Sequence, residues 1–140
     1  MDRSEILAAD TQMYADIKEP VTDKLFLQEG RKVFREVCPK VSEIITTHLT
    51  ENNLSADQIK RMWLHQANIN MIDLILRTVV GKDADKSIAP VVIAEYGNTS
   101  SASPVVAFHE TQDGVESEDL CVMCSFGAGY SIGSVLLKKV

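Results

Sequence analysis

Trp63-Leu64-His65-Gln66-Ala67-Asn68 runs an apolar pair directly into a histidine, two side-chain amides and an alanine. Arg61-Met62-Trp63-Leu64 reads as a short strand, which delivers His65 to its carboxyl end. In open α/β sheets that end is where ligands collect. About thirty residues later comes Glu95-Tyr96-Gly97-Asn98-Thr99-Ser100, a second polar stretch that follows an apolar run. The two stretches together raise the expectation of a single site.

Upstream of the tryptophan, Val33, Phe34, Val37, Val41, Ile44, Ile45 and Leu49 recur at spacings of three and four, so a helix is expected from about Leu27. Pro39 falls inside it and predicts a kink. Asn52-Asn53 closes the pattern, and Ser55-Ala56-Asp57-Gln58 has the spacing of a capping box that starts a short helical turn. Downstream, Ile69, Ile72, Leu76 and Val79-Val80 predict a second helix stopped by Gly81. Val91-Val92-Ile93-Ala94 predicts a second strand, and Gly97-Asn98-Thr99-Ser100 a tight turn into a helix ending near Glu110. Leu120 to Ser125 and Ser131 to Leu137 predict two more strands, close enough across Phe126-Gly127-Ala128-Gly129-Tyr130 to pair as a hairpin. The order α, β, α, β, α, β, β predicts a layered α/β domain whose mixed sheet ends in an antiparallel hairpin.

The chain has 140 residues, 45% apolar and 24% charged, enough for one domain with a real core. Residues 1–24 are polar and irregular and read as a surface arm or severed linker; residues 25–140 read as the domain. A net charge of −6 disfavours a nucleic-acid partner. No apolar run approaches the roughly 20 residues that span a bilayer, and Met1 to Gln12 lacks the apolar core of a secretory signal. The cysteines, Cys38, Cys121 and Cys124, are odd in number and fit a reducing cytoplasm. Cys121 and Cys124 have C-x-x-C spacing but lie in an expected strand, where positions three apart face opposite sides. Two packed core thiols are therefore expected, with no metal site and no cofactor.

Three turns carry groups suited to carbonyl chemistry. His65 can donate to a developing oxyanion or shuttle a proton. Asn98 offers an amide donor that does not titrate. Gly127-Ala128-Gly129 lets backbone N–H groups approach a ligand closely. Each also has a plain structural reading: a hydrogen-bonded strand-end histidine, an ordinary Gly-Asn turn and a small-residue hairpin. His48 and His109 read as structural or solvated.

In order, His65-Gln66-Ala67-Asn68, Gly97-Asn98-Thr99-Ser100-Ser101-Ala102-Ser103 and Ser125-Phe126-Gly127-Ala128-Gly129-Tyr130 with Gly133-Ser134 resemble the C-terminal half of β-ketoacyl-acyl-carrier-protein synthase III. The resemblance runs from about Leu25 to Val140 and implies half of a thiolase-like fold. It implies a decarboxylative Claisen condensation in fatty acid biosynthesis, with acyl-CoA and malonyl-acyl carrier protein as partners. His65 and Asn98 would hydrogen-bond the malonyl thioester oxygen as charge builds on it. The Ala128 N–H, within Gly127-Ala128-Gly129, would line the oxyanion hole for acyl transfer, and Phe126 would wall the acyl cavity.

Two departures accompany the resemblance. The family's acyl-accepting cysteine belongs to the N-terminal half, which this stretch does not include, and Cys38 sits inside an amphipathic helix away from any catalytic turn. Asn70 stands where many members carry an arginine that docks the carrier or CoA, leaving Arg77 and Lys82 as the cationic candidates. The chain alone is expected to be inactive, to need the missing half, and to associate as a homo-oligomer through exposed apolar surface. The alternatives are a non-catalytic assembly or binding subunit, or a related condensing enzyme of the hydroxymethylglutaryl-CoA synthase or polyketide synthase type.

Overall fold

The computed structural model describes residues 30–140, so the expected arm at 1–24 and the first turn of the Leu27 helix lie outside the described residues. Helix α1 (Gly30–Glu51) turns Val37, Cys38, Val41, Ile45 and Leu49 inward. It continues through Pro39, which has no N–H to offer the Arg35 carbonyl. Its end is a Schellman motif. Asn53 adopts φ 56°, Leu54 N–H donates to the Leu49 carbonyl at 2.9 Å, and Asn53 N–H donates to the Thr50 carbonyl at 3.0 Å. The Asn pair read as a stop is therefore a left-handed cap. At the next turn (Ala56–Gln58, 3₁₀), the Gln58 side-chain oxygen accepts from Ser55 N–H at 2.8 Å, as the capping-box spacing predicts.

Strand β1 (Ile59–Leu64) is parallel to β2 (Leu120–Gly127), and β2 pairs antiparallel with β3 (Ser131–Lys138). The sheet order is β1-β2-β3. Met62, Trp63 and Leu64 are all buried, so helices cover both faces of β1. Met62, Leu64, Val122 and Cys124 share a core with α1 and with helix α2 (Ile69–Val79). Trp63 and Cys121 face the other way, into a second cluster with Val92, Ala107 and Val115. Trp63 meets Phe108 edge-on, with ring centroids 4.9 Å apart, and its indole N–H donates to Thr111 Oγ1 at 3.0 Å. Phe108 and Thr111 lie on helix α4 (Ser103–Thr111). The three layers are thus α1/α2, sheet, α4.

The expected alternation fails at one point. Val91 to Ala94 forms no strand. Val91-Val92 is irregular, and Ile93–Tyr96 is a single helical turn, α3. The Val92 carbonyl accepts from Glu95 N–H and Tyr96 N–H at 3.2 and 3.1 Å, and Gly97 N–H donates to the Ile93 carbonyl at 2.9 Å. β-branched composition favours a strand only where a pleated, half-buried surface receives it. Here Val91 is 41% exposed and Pro90 precedes it, so only Val92 has a core to enter.

Candidate active site

His65 continues the β1–β2 ladder by one residue. Its backbone N–H donates to the Cys124 carbonyl at 2.9 Å. Its ring Nδ1 lies 3.2 Å from Ser125 Oγ, and its face lies against Phe126, with centroids 4.4 Å apart and planes tilted by 32°. Three consecutive residues at the carboxyl end of β2 thus hold the backbone, one ring nitrogen and one ring face. Only 6% of His65 is exposed, and burial pushes its pKa below the ordinary value of 6.5. The imidazole is therefore neutral at pH 7.

The second turn is bound to the first by hydrogen bonds. Gln66 N–H donates to Ser103 Oγ at 2.9 Å, and that hydroxyl donates to the Ser100 carbonyl at 2.6 Å. Ser100 N–H in turn donates to Asn98 Oδ1 at 2.9 Å, an Asx turn. This fixes the carbonyl side of the Asn98 amide and leaves Nδ2 without a protein partner among the described residues. Gly97, with φ 67° and ψ −163°, occupies a backbone region open essentially to glycine alone, which is why the asparagine is preceded by one. Because Val91–Ala94 is not a strand, Asn98 follows a helical turn rather than a strand end, correcting the sequence expectation.

Phe126 is 9% exposed, and Gly127, Ala128 and Gly129 are exposed at the mouth of the β2–β3 hairpin. Ser131 Oγ donates to the Ala128 carbonyl at 3.1 Å across that turn. Gly129 has φ 131°, and a Cβ there would meet Ser131 N at 3.2 Å. Arg77 pairs with Asp73 one turn earlier on α2 at 3.0 Å, and Lys82 is exposed just beyond Gly81. Neither cation is in recorded contact with His65, Asn98 or Phe126.

The sequence reading missed Gln66 and Ser103. Gln66 is fully buried. Its Nε2 donates to the Leu64 carbonyl at 2.9 Å and the Pro90 carbonyl at 3.3 Å, and its Oε1 accepts from Val92 N–H at 3.0 Å. It serves residues 90–92 as a strand edge would. Asn68, the motif's last residue, caps α2 by accepting from Asn70 N–H at 2.8 Å. His48, read as structural or solvated, has Nδ1 3.4 Å from Ser134 Oγ on β3.

All three cysteines are free and buried. Burial pushes the Cys38 and Cys121 thiols up, and the Cys124 thiol up to about 12. Cys121 and Cys124 belong to the cores on opposite faces of the sheet, as strand periodicity predicts. A buried thiol held protonated is no nucleophile.

Residues 49–139 match the family described as 3-oxoacyl-[acyl-carrier-protein (ACP)] synthase III C terminal. The chain belongs to that family. It is 56% identical over 117 residues to the β-ketodecanoyl-[acyl-carrier-protein] synthase of Pseudomonas aeruginosa, covering 84% of this chain and 33% of that protein. A β-ketoacyl-[acyl-carrier-protein] synthase III of Desulfotalea psychrophila is 38% identical over 112 residues, covering 79% of this chain and 34% of that one. Among solved structures, the 3-oxoacyl-[acyl-carrier-protein] synthase III of Aquifex aeolicus VF5 superposes with a TM-score of 0.75 at 28% identity, over 84% of this chain and 38% of that one. The synthase III fold is thus shared, and the chain spans about a third of the length of the curated relatives it matches.

Proposed function

We propose that this chain supplies the decarboxylation side of a β-ketoacyl synthase III-type active site. In this reading His65 Nε2–H and Asn98 Nδ2–H donate to the thioester oxygen of a malonyl group on its carrier. As carbon dioxide leaves, the electron pair of the broken C–C bond moves into the thioester and charge gathers on that oxygen. The resulting enolate carbon then attacks an acyl group held as a thioester on a cysteine outside this chain. The carrying observation is the hydrogen-bonded link Gln66–Ser103–Ser100–Asn98, which ties the asparagine's turn to the buried, neutral His65. Two neutral donors oriented before reaction suit an oxygen that becomes negative only in the transition state.

Phe126, packed on His65, would wall the acyl cavity, and the N–H of the exposed Ala128 would serve the acyl-transfer step. Arg77, engaged with Asp73, and the exposed Lys82 would offer positive charge to an acidic carrier. The rival reading, a non-catalytic subunit, draws on the burial of all three thiols.

A chimera separates the two. This chain replaces the aligned third of the Pseudomonas aeruginosa relative, whose remainder is left intact. The enzymatic reading predicts a folded chimera that condenses acyl and malonyl thioesters, while the 140-residue chain alone does not. A folded chimera without condensation supports the subunit.

A further inference from the structure

We infer that Ser125 is a positioning residue that sets the tautomer of His65: its hydroxyl donates to Nδ1, so that Nε2 carries the proton and faces the reacting thioester. This rests on the decarboxylation reading proposed above and adds to it the group that makes His65 a donor.

A neutral imidazole has one N–H, and the nitrogen that bears it decides whether the open edge of the ring can donate. The backbone bond to Cys124, the ring stacking on Phe126 and the 3.2 Å approach of Ser125 Oγ fix the His65 ring with Nδ1 turned toward β2. Among the described residues Nε2 has no protein partner, so it is the edge left for a ligand.

The direction of the Ser125 bond follows from what its hydroxyl can reach. Among the described residues the only recorded partner of Ser125 Oγ is His65 Nδ1. If Nδ1 bore the proton and donated to Ser125, the hydroxyl hydrogen would have no acceptor among the described residues and Nε2 would be left as an acceptor. If Ser125 donates, both groups are satisfied and Nε2–H is exposed to the crevice. The hydrogen bond thus converts a ring of indeterminate tautomer into a fixed donor. Second partners of this kind orient the working nitrogen of histidines that act through the other one. Nothing in the composition of Cys124-Ser125-Phe126 marked the serine in advance, because on a strand it reads as an ordinary half-buried position.

Two measurements test the assignment. In the full 140-residue chain labelled with ¹⁵N, long-range proton–nitrogen spectra report which His65 nitrogen is protonated at neutral pH. The expected result is Nε2–H in the wild type and in Ser125→Thr, and a mixture of tautomers in Ser125→Ala. Nδ1–H in the wild type, or a tautomer unchanged by Ser125→Ala, overturns the inference.

In the chimera, Ser125→Ala is expected to slow malonyl thioester decarboxylation about 3- to 10-fold, the worth of one hydrogen bond, mainly in kcat. Ser125→Thr should restore it. If His65→Ala abolishes decarboxylation while Ser125→Ala leaves kcat unchanged, the Ser125 assignment alone fails. If His65→Ala itself has no effect, the decarboxylation reading fails.

Discussion

His65 is a polar ring with 6% of its surface exposed, and no carboxylate is recorded against it. Its folded pKa therefore lies below the 6.5 it has when solvated. The unfolded chain binds the proton more readily, so stability is lost as pH falls below about 6.5 and is regained on the alkaline side. His65→Gln is expected to flatten that part of the profile. Thermal melts of the two proteins at pH 7.5 and 5.5 check this: the wild type should lose more Tm on acidification than the variant. Equal losses would mean the ring is solvated in the fold. The residues His65, Gln66 and Asn68 also show how one short motif divides its work. The first packs its ring on Phe126, the second satisfies buried backbone and the third caps a helix. The sequence made His65 legible because a histidine after an apolar run is an anomaly. It hid Gln66, because the carbonyls at Leu64 and Pro90 that need its amide are set by tertiary placement.

Helices α1 and α2, strand β1 and the β2–β3 hairpin follow from periodicity, because each presents its apolar residues to a core at the spacing its backbone imposes. Val91 to Ala94 does not, because a short apolar run carries no periodicity and its partner is a side chain. That substitution for a strand has a measurable consequence. Gln66→Ala leaves the Leu64 and Pro90 carbonyls and Val92 N–H without their partner in a buried setting. We expect a loss of about 2–4 kcal/mol, read as a lower urea midpoint with unchanged slope. A loss below about 0.5 kcal/mol, the level of a surface substitution, would mean that water replaces the amide and that segment 90–92 is not held by it. The Asn98 turn, tied to Gln66 through Ser103, should loosen in the same variant.

The molecule as a whole is an α/β piece of a synthase III fold, with His65 directly after strand β1 and all three thiols buried in the cores. No helix among the described residues is long and apolar enough to cross a membrane. The layered architecture and its C-terminal hairpin were legible from the order of elements. The hydrogen-bonded link between the Gln66 and Asn98 turns was not legible, because Ser103, which makes it, lies in a run of small residues with no feature of its own. On the proposed function, enolate formation belongs to this chain and acyl capture to residues beyond it. Release of labelled carbon dioxide from a malonyl thioester, measured in the chimera without an acyl primer, isolates the first of these steps. His65→Ala and Asn98→Ala should each slow that release by about 10²- to 10³-fold, the usual worth of one oxyanion donor, with folding intact by circular dichroism. Release at the unsubstituted rate in the folded double variant would show that neither donor acts on the thioester oxygen.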